Sequence, residues 1–256
     1  MNKLIESLKY FMALFQLKNN HFRYIKAVLS YRLRHKIEFP QTTVRLKGTK
    51  FLTRENSMDI AHLSFFYERE TTNFLLNLKP KTFLDIGAHI GRFSVLLAKN
   101  GSRVISIEPS RRNFAQLNGN IQLNRLQDNI VTINVGCSDR NGKKIFYFSP
   151  INEGSSSLRK NDESIPEITQ IQELDNIYKD FNINPKEIDV IKVDVEGFEL
   201  NVLKGSQGIL KKSSPLLIVE ILDKKNEEKI RNFLRKLGYS CKKILDSRNF
   251  IFTKNL

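Results

Sequence analysis

Phe83-Leu-Asp-Ile-Gly-Ala-His-Ile-Gly-Arg-Phe-Ser-Val-Leu-Leu-Ala-Lys99 is the stretch that decides the fold. Phe83, Leu84 and Ile86 read as a buried strand that breaks at Gly87. Phe93, Val95, Leu96 and Leu97, following Gly91, suit a helix packed against a sheet. A strand feeding a helix through a glycine turn brings backbone close to a ligand. It also aims free N–H groups and the positive end of the helix dipole at that ligand.

Outward from this unit the pattern is strand–helix alternation. Strands are predicted at 82–87, 103–108, 130–135, 144–148, 189–194 and 215–222, and helices at 91–99, near 199–211 and at 226–237. Ser110 is a good N-cap for a further helix carrying Phe114, Leu117 and Ile121. A polar stretch at about 149–187, with a helix at 173–181, reads as a substrate loop inserted into the repeat. The final pair, 239–245 and 249–254, is joined by three residues, too few for a parallel crossover, so one of the two strands must be antiparallel. The expected architecture is α/β and doubly wound, with a mostly parallel seven-stranded sheet and an antiparallel last strand.

Before this core, 3–17 and 22–33 carry apolar residues at helical spacing, 43–53 reads as a hairpin around Gly48, and 57–78 as one helix. The division expected is a basic helical extension with a short hairpin over 1–56 and the main domain over 57–256. The chain has 256 residues, 40% of them hydrophobic, enough for a real core. Its net charge is +15, and residues 1–50 hold eleven Lys or Arg against two acids. That start suits peripheral contact with an anionic membrane face or simply a solvated surface. Cys137 and Cys241 make no disulfide framework. With neither a secretory leader pattern nor an 18-residue apolar run, the expectation is a cytoplasmic protein, peripheral at most to the inner membrane face.

Gly87 and Gly91 without a middle glycine are not the dinucleotide fingerprint. Glu108, 21 residues after Gly87 and at the end of the second strand, is where doubly wound folds place an acid on ribose hydroxyls. A nucleoside cofactor lacking a pyrophosphate fits both observations. Asp194 and Glu196, at the end of 189–194 (the fourth strand of the main alternation, 144–148 being left out of that count), face the same turn. Asp194 is the candidate general base, with Glu196 orienting the acceptor or serving as base in its place. Glu220 ends the next strand and is a candidate substrate contact, as are Ser155, Ser156 and Arg159 in the polar insert. His89 is read as positioning. Carboxylates suit Mg²⁺, but no spacing demands it, and no metal is expected.

Asp85-Ile-Gly-Ala-His-Ile-Gly-Arg-Phe-Ser resembles the first motif of class I S-adenosylmethionine-dependent methyltransferases, and Glu108-Pro109 resembles their second. Ile191-Lys-Val-Asp-Val-Glu-Gly-Phe-Glu-Leu-Asn-Val-Leu-Lys-Gly205 and Pro215-Leu-Leu-Ile-Val-Glu220 are similar to the signature of the FkbM-type family, as are Gly136-Cys-Ser-Asp139 and Gln172-Glu-Leu-Asp175. The likeness spans about residues 57–240; His89 stands where that family usually has Asn. It implies a Rossmann-like fold, S-adenosylmethionine as cofactor, and O-methylation of a hydroxyl (or carboxyl) of a sugar, glycan or related natural product. It also implies that Asp85, Gly87 and Gly91 surround the methionine part, with Ala88 and His89 of the same turn also cofactor-binding, that Glu108 holds the ribose, and that Ser138 and Asp139 lie near the adenine. The expected partner is thus a small-molecule or glycan acceptor, with the oligomeric state open. A nucleic-acid methyltransferase is the alternative prompted by charge, but no Asn-Pro-Pro-Tyr string follows the fourth strand and no aromatic platform for a flipped base is visible, so no specific nucleic acid is expected. A non-catalytic cofactor-fold binding module and a nicotinamide dehydrogenase are the remaining alternatives.

Overall fold

The computed structural model of the chain describes residues 40–148, 165–181 and 183–254. The helices expected at 3–17 and 22–33, and Ser155, Ser156 and Arg159, lie outside these residues. The first described element is the expected hairpin, β1 (Thr42–Leu46) and β2 (Thr49–Thr53). Leu46 pairs with Thr49, so Lys47 and Gly48 alone make the turn, with φ of 50° and 81°, the two-residue geometry that matches strand twist.

The single helix expected over 57–78 is instead two, α1 (Asp59–His62) and α2 (Arg69–Leu78). A buried cation breaks it. The Arg92 guanidinium donates to the carbonyls of His62, Ser64 and Tyr67 at 2.6, 3.2 and 2.6 Å and to the Thr72 hydroxyl at 3.0 Å. Carbonyls gathered around a guanidinium are not aligned for helical bonds, and Glu68 follows in left-handed backbone with φ 42°.

β3 (Thr82–Ile86), α3 (Arg92–Lys99), β4 (Arg103–Ile107), α4 (Arg111–Asn124) and β5 (Ile130–Ile133) repeat strand and helix as expected. Then comes a separate three-stranded sheet of β6 (Gly136–Ser138), β7 (Gly142–Phe148) and β8 (Ile165–Glu173), ordered β6-β8-β7. The polar insert is therefore less irregular than its composition suggests. Residues 165–173 form a strand antiparallel to β7, from Gly142↔Ile171 to Phe148↔Ile165. Its period of two is masked because Thr169 points inward and Ile168 is 64% exposed.

The chain continues through α5 (Leu174–Asp180), β9 (Val190–Val193), α6 (Glu199–Lys204), α7 (Gln207–Lys212), β10 (Leu216–Glu220), α8 (Lys224–Lys236), β11 (Tyr239–Leu245) and β12 (Asn249–Lys254). The main sheet runs β5-β4-β3-β9-β10-β12-β11. Pairing is parallel from β5 to β10, and β12 is antiparallel to both its neighbours. Alternate residues serve opposite faces: Phe83, Val104, Val190 and Ile218 pack with α3 and α4, while Leu84, Ile105, Ile191 and Leu217 pack with α5 to α8.

The hairpin is attached by side chains. Asn124 and Asn120 of α4 accept from the backbone N–H of Lys50 and Leu52 at 3.2 and 2.8 Å. Asn124 and Gln116 donate to the carbonyls of Lys50 and Leu52 at 2.7 and 2.5 Å. Residues four apart on a helix rise about 6 Å and residues two apart on a strand about 6.7 Å, so a row of amides can follow a strand edge.

Candidate active site

A cleft lies outside the carboxyl ends of β3, β4 and β9, where strand order reverses and open α/β sheets bind ligands. Gly87 has φ 85°, and a Cβ there would overlap the carbonyl oxygen of Asp194. Glycine lets the ends of β3 and β9 meet. Gly87 N and Ala88 N donate to Ile107 O at 2.9 and 3.1 Å, which ties the turn to β4.

Glu108 sits where the sequence placed it. Its Oε2 accepts from His89 N and its Oε1 from Ser110 N, both at 2.9 Å. Burial pushes this carboxyl up to about 7 in spite of those bonds. Oε1 also accepts from Asn113 Nδ2 at 3.4 Å, and Oε2 retains a lone pair for a ligand hydroxyl. Asp85, also in the cleft wall, accepts from Ser94 Oγ at 2.5 Å, and Ser106 Oγ supports Ser94 at 2.8 Å. Burial raises Asp85 to about 6.

Two expected cofactor residues stand off the cleft wall. Ser138 Oγ donates to Asp139 Oδ1 at 3.3 Å, and Asn201 Nδ2 donates to Asp139 Oδ2 at 2.9 Å. Those bonds turn the pair toward α6, and Gly136, Cys137 and Phe146 line the cleft in their stead. Glu220 also stands behind the wall, 3% exposed and paired through Oε1 with Arg248 Nε at 3.0 Å. Its place as a substrate contact is corrected to one of support for Asp194.

Asp194 is bound to a buried cation. Lys192, 2% exposed, donates from Nζ to Asp194 Oδ2 at 2.5 Å and stands 3.8 Å from Glu68 Oε1. Burial works against ionisation of Asp194, but the Lys192 charge overrides it and holds the carboxyl below its usual range. Burial and then the Asp194 charge push Glu220 upward. Glu196, in left-handed backbone with φ 51°, has no hydrogen-bond partner among the described residues. Burial first, then Asp194 and Glu199, raise it to about 7.

Opposite stand two histidines. Arg54 donates to Asp59 Oδ1 and Oδ2 at 2.6 and 2.9 Å, and its Nη2 lies 3.5 Å from His89 Nε2. A guanidinium only donates, so His89 Nε2 accepts and the ring proton is on Nδ1. Asp59, His62 and His89 bring ligating atoms within 4.8 Å of one another, as do Glu68, Asp194 and Glu220. Arg54 and Lys192 already supply the positive charge in these two clusters. Lys192, buried inside the apolar run Val190–Val193, was the signal in the sequence for a charged network. His62, Tyr67 and Glu68 carried none, because they sit in a segment that reads as helix.

This sheet order, with a glycine turn after its first central strand and an acid after the next, defines a Rossmann-like fold of the methyltransferase type. A FkbM methyltransferase from Methylobacillus flagellatus KT superposes with a TM-score of 0.50 at 19% identity, over 68% of this chain and 43% of that one. The tRNA (uracil-54, C5)-methyltransferase of Pyrococcus abyssi does so with a TM-score of 0.50 at 15% identity, over 83% of this chain and 43% of its own. The methyltransferase sdnD of Sordaria araneosa is 25% identical over 162 residues, 51% of this chain and 62% of that protein. The chain thus spans less than two thirds of these two named relatives, sdnD and the Methylobacillus protein. Residues 85–241 match the methyltransferase FkbM domain, and the chain belongs to that family.

Proposed function

We propose that the protein is an S-adenosylmethionine-dependent O-methyltransferase acting on a hydroxyl of a sugar, glycan or related natural product. The observation that carries this reading is Glu108, anchored by His89 N and Ser110 N beside the Gly87–Gly91 turn and facing the same cleft as Glu196. The donor set fits the cofactor: Glu108 for the ribose diol, Asp85 and the turn for the methionine part, and Gly136, Cys137 and Phe146 for an apolar base. When bound, S-adenosylmethionine supplies a sulfonium methyl, the electrophile.

The chain's own residues then bind the acceptor and take its proton. Asp194, held ionised by Lys192, is a weak base, and its charge suits a position beside a cation. Glu196, raised to about 7, is partly ionised at neutral pH and stands in the same wall, so it takes the hydroxyl proton. The acceptor oxygen needs to be held roughly 3–3.5 Å from the reacting carbon, which a walled cleft provides. Calorimetry tests the cofactor half: S-adenosylhomocysteine should bind in the micromolar range and NAD should not. Binding of NAD alone would sink the reading, and methyl transfer to RNA would replace its acceptor half.

A further inference from the structure

The cleft wall beside His89 contains side chains that the fold leaves unemployed. Neither ring nitrogen of His62 has a hydrogen-bond partner among the described residues, and Nδ1 is buried. A buried polar atom without a partner is costly unless a ligand supplies one. The Tyr67 hydroxyl is likewise without a partner among the described residues, and its ring stands edge-on to His62 at 5.1 Å. His62 also meets His89 edge-on at 5.1 Å, so it borders the cofactor turn. Arg92 holds the main chain of both residues by their carbonyls, at 2.6 Å each, which fixes them as one rigid ledge.

The cations of this cleft are already matched. Lys192 is bound by Asp194 and Glu68, and Arg92 faces three carbonyls and a hydroxyl. Neither has charge to spare for a phosphate or a nucleic-acid backbone. What remains in the wall is His62 with the rings of Tyr67 and Phe198, over which Arg248 and Lys144 stand at 5.2 and 4.2 Å, plus neutral hydrogen-bonding atoms and the Glu196 carboxylate. That combination suits apolar ring faces edged with hydroxyls.

The geometry points to His62 and Tyr67 as the acceptor-binding residues, holding a neutral polyhydroxylated ring by its hydroxyls with one of them turned to Glu196. Both residues precede the family-matched segment 85–241, so acceptor choice is carried by the flank of the chain. This rests on the methyltransferase reading.

The test uses the full chain with labelled S-adenosylmethionine and three probes: methyl glycosides, the same sugars as monophosphates, and a short RNA. Label is expected in methyl glycosides, with His62→Phe and Tyr67→Phe each raising KM for the glycoside about tenfold. S-adenosylhomocysteine affinity should stay within about twofold and kcat should fall less than KM rises. Preferential labelling of the phosphates or RNA, no labelling of any glycoside, or variants with unchanged KM overturns the proposal. If S-adenosylhomocysteine itself fails to bind the unaltered chain, the methyltransferase reading fails instead, so the two failures are distinguishable. His62→Phe and Tyr67→Phe each keep a ring while removing the hydrogen-bonding atoms. Loss of binding through misfolding would show as a lowered melting temperature in each.

Discussion

The backbone of Gly87 lies so close to the carbonyl oxygen of Asp194 that a single methyl group cannot be placed between them. The glycine turn after β3 and the acid-bearing end of β9 are thus one surface, closed by van der Waals contact. Gly87→Ala adds that methyl group at φ 85°. Expected is a loss of about 3 kcal/mol or more in urea denaturation, with S-adenosylhomocysteine binding lost even where the fold survives. Retention of both would show that β3 and β9 can separate freely.

Glu196 and Asp194 predict different pH profiles. With Glu196 as base and its carboxyl raised to about 7, kcat/KM climbs as pH rises toward 7 and levels above it. With Asp194 as base the profile would be flat across that range, since Lys192 keeps it ionised. Glu196→Gln should lower kcat about 10²- to 10⁴-fold and leave S-adenosylhomocysteine affinity nearly unaltered.

Lys192→Met removes the cation from among Glu68, Asp194 and Glu220. Breaking a buried ionic cluster by deleting one partner costs about 3–5 kcal/mol. In the unaltered protein Asp194 is lowered, so its contribution to stability is present above the ordinary carboxylate range and lost as pH falls through its folded value. In the variant burial acts unopposed and raises the carboxyls, so the deficit grows as pH rises. Thermal melts at pH 5 and 8 should show the larger loss at pH 8.

Asn120→Ala strands the half-buried Leu52 N–H and the buried Ile90 C=O, which Asn120 now serves at 2.8 and 2.9 Å. At about 1–3 kcal/mol for each, denaturation should report a loss of about 2–6 kcal/mol.

Much of this was readable from residue order. Gly87, Glu108 and the three-residue link before 249–254 marked the turn after β3, the acid after β4 and the antiparallel end of the sheet. Local rules sufficed there because turn chemistry and strand ends are decided by neighbours in sequence. Tyr67 and His62 were hidden because their helical spacing is real but overruled by Arg92, a residue 25 positions beyond Tyr67. β8 was hidden because its inward Thr169 and outward Ile168 invert the usual pattern. Glu220 was misplaced for a related reason: the end of β10 reaches the rim, but Arg248, from the turn before β12, draws its carboxylate behind Asp194.

The amide row on α4 has a consequence outside catalysis. An unpaired strand edge is an invitation to another chain, and among the described residues β2 has no strand on its outer side. Gln116, Asn120 and Asn124 fill that vacancy from within the molecule, so the edge is shielded against intermolecular sheet growth. Stripping those amides should therefore expose a seed for aggregation before it unfolds the domain.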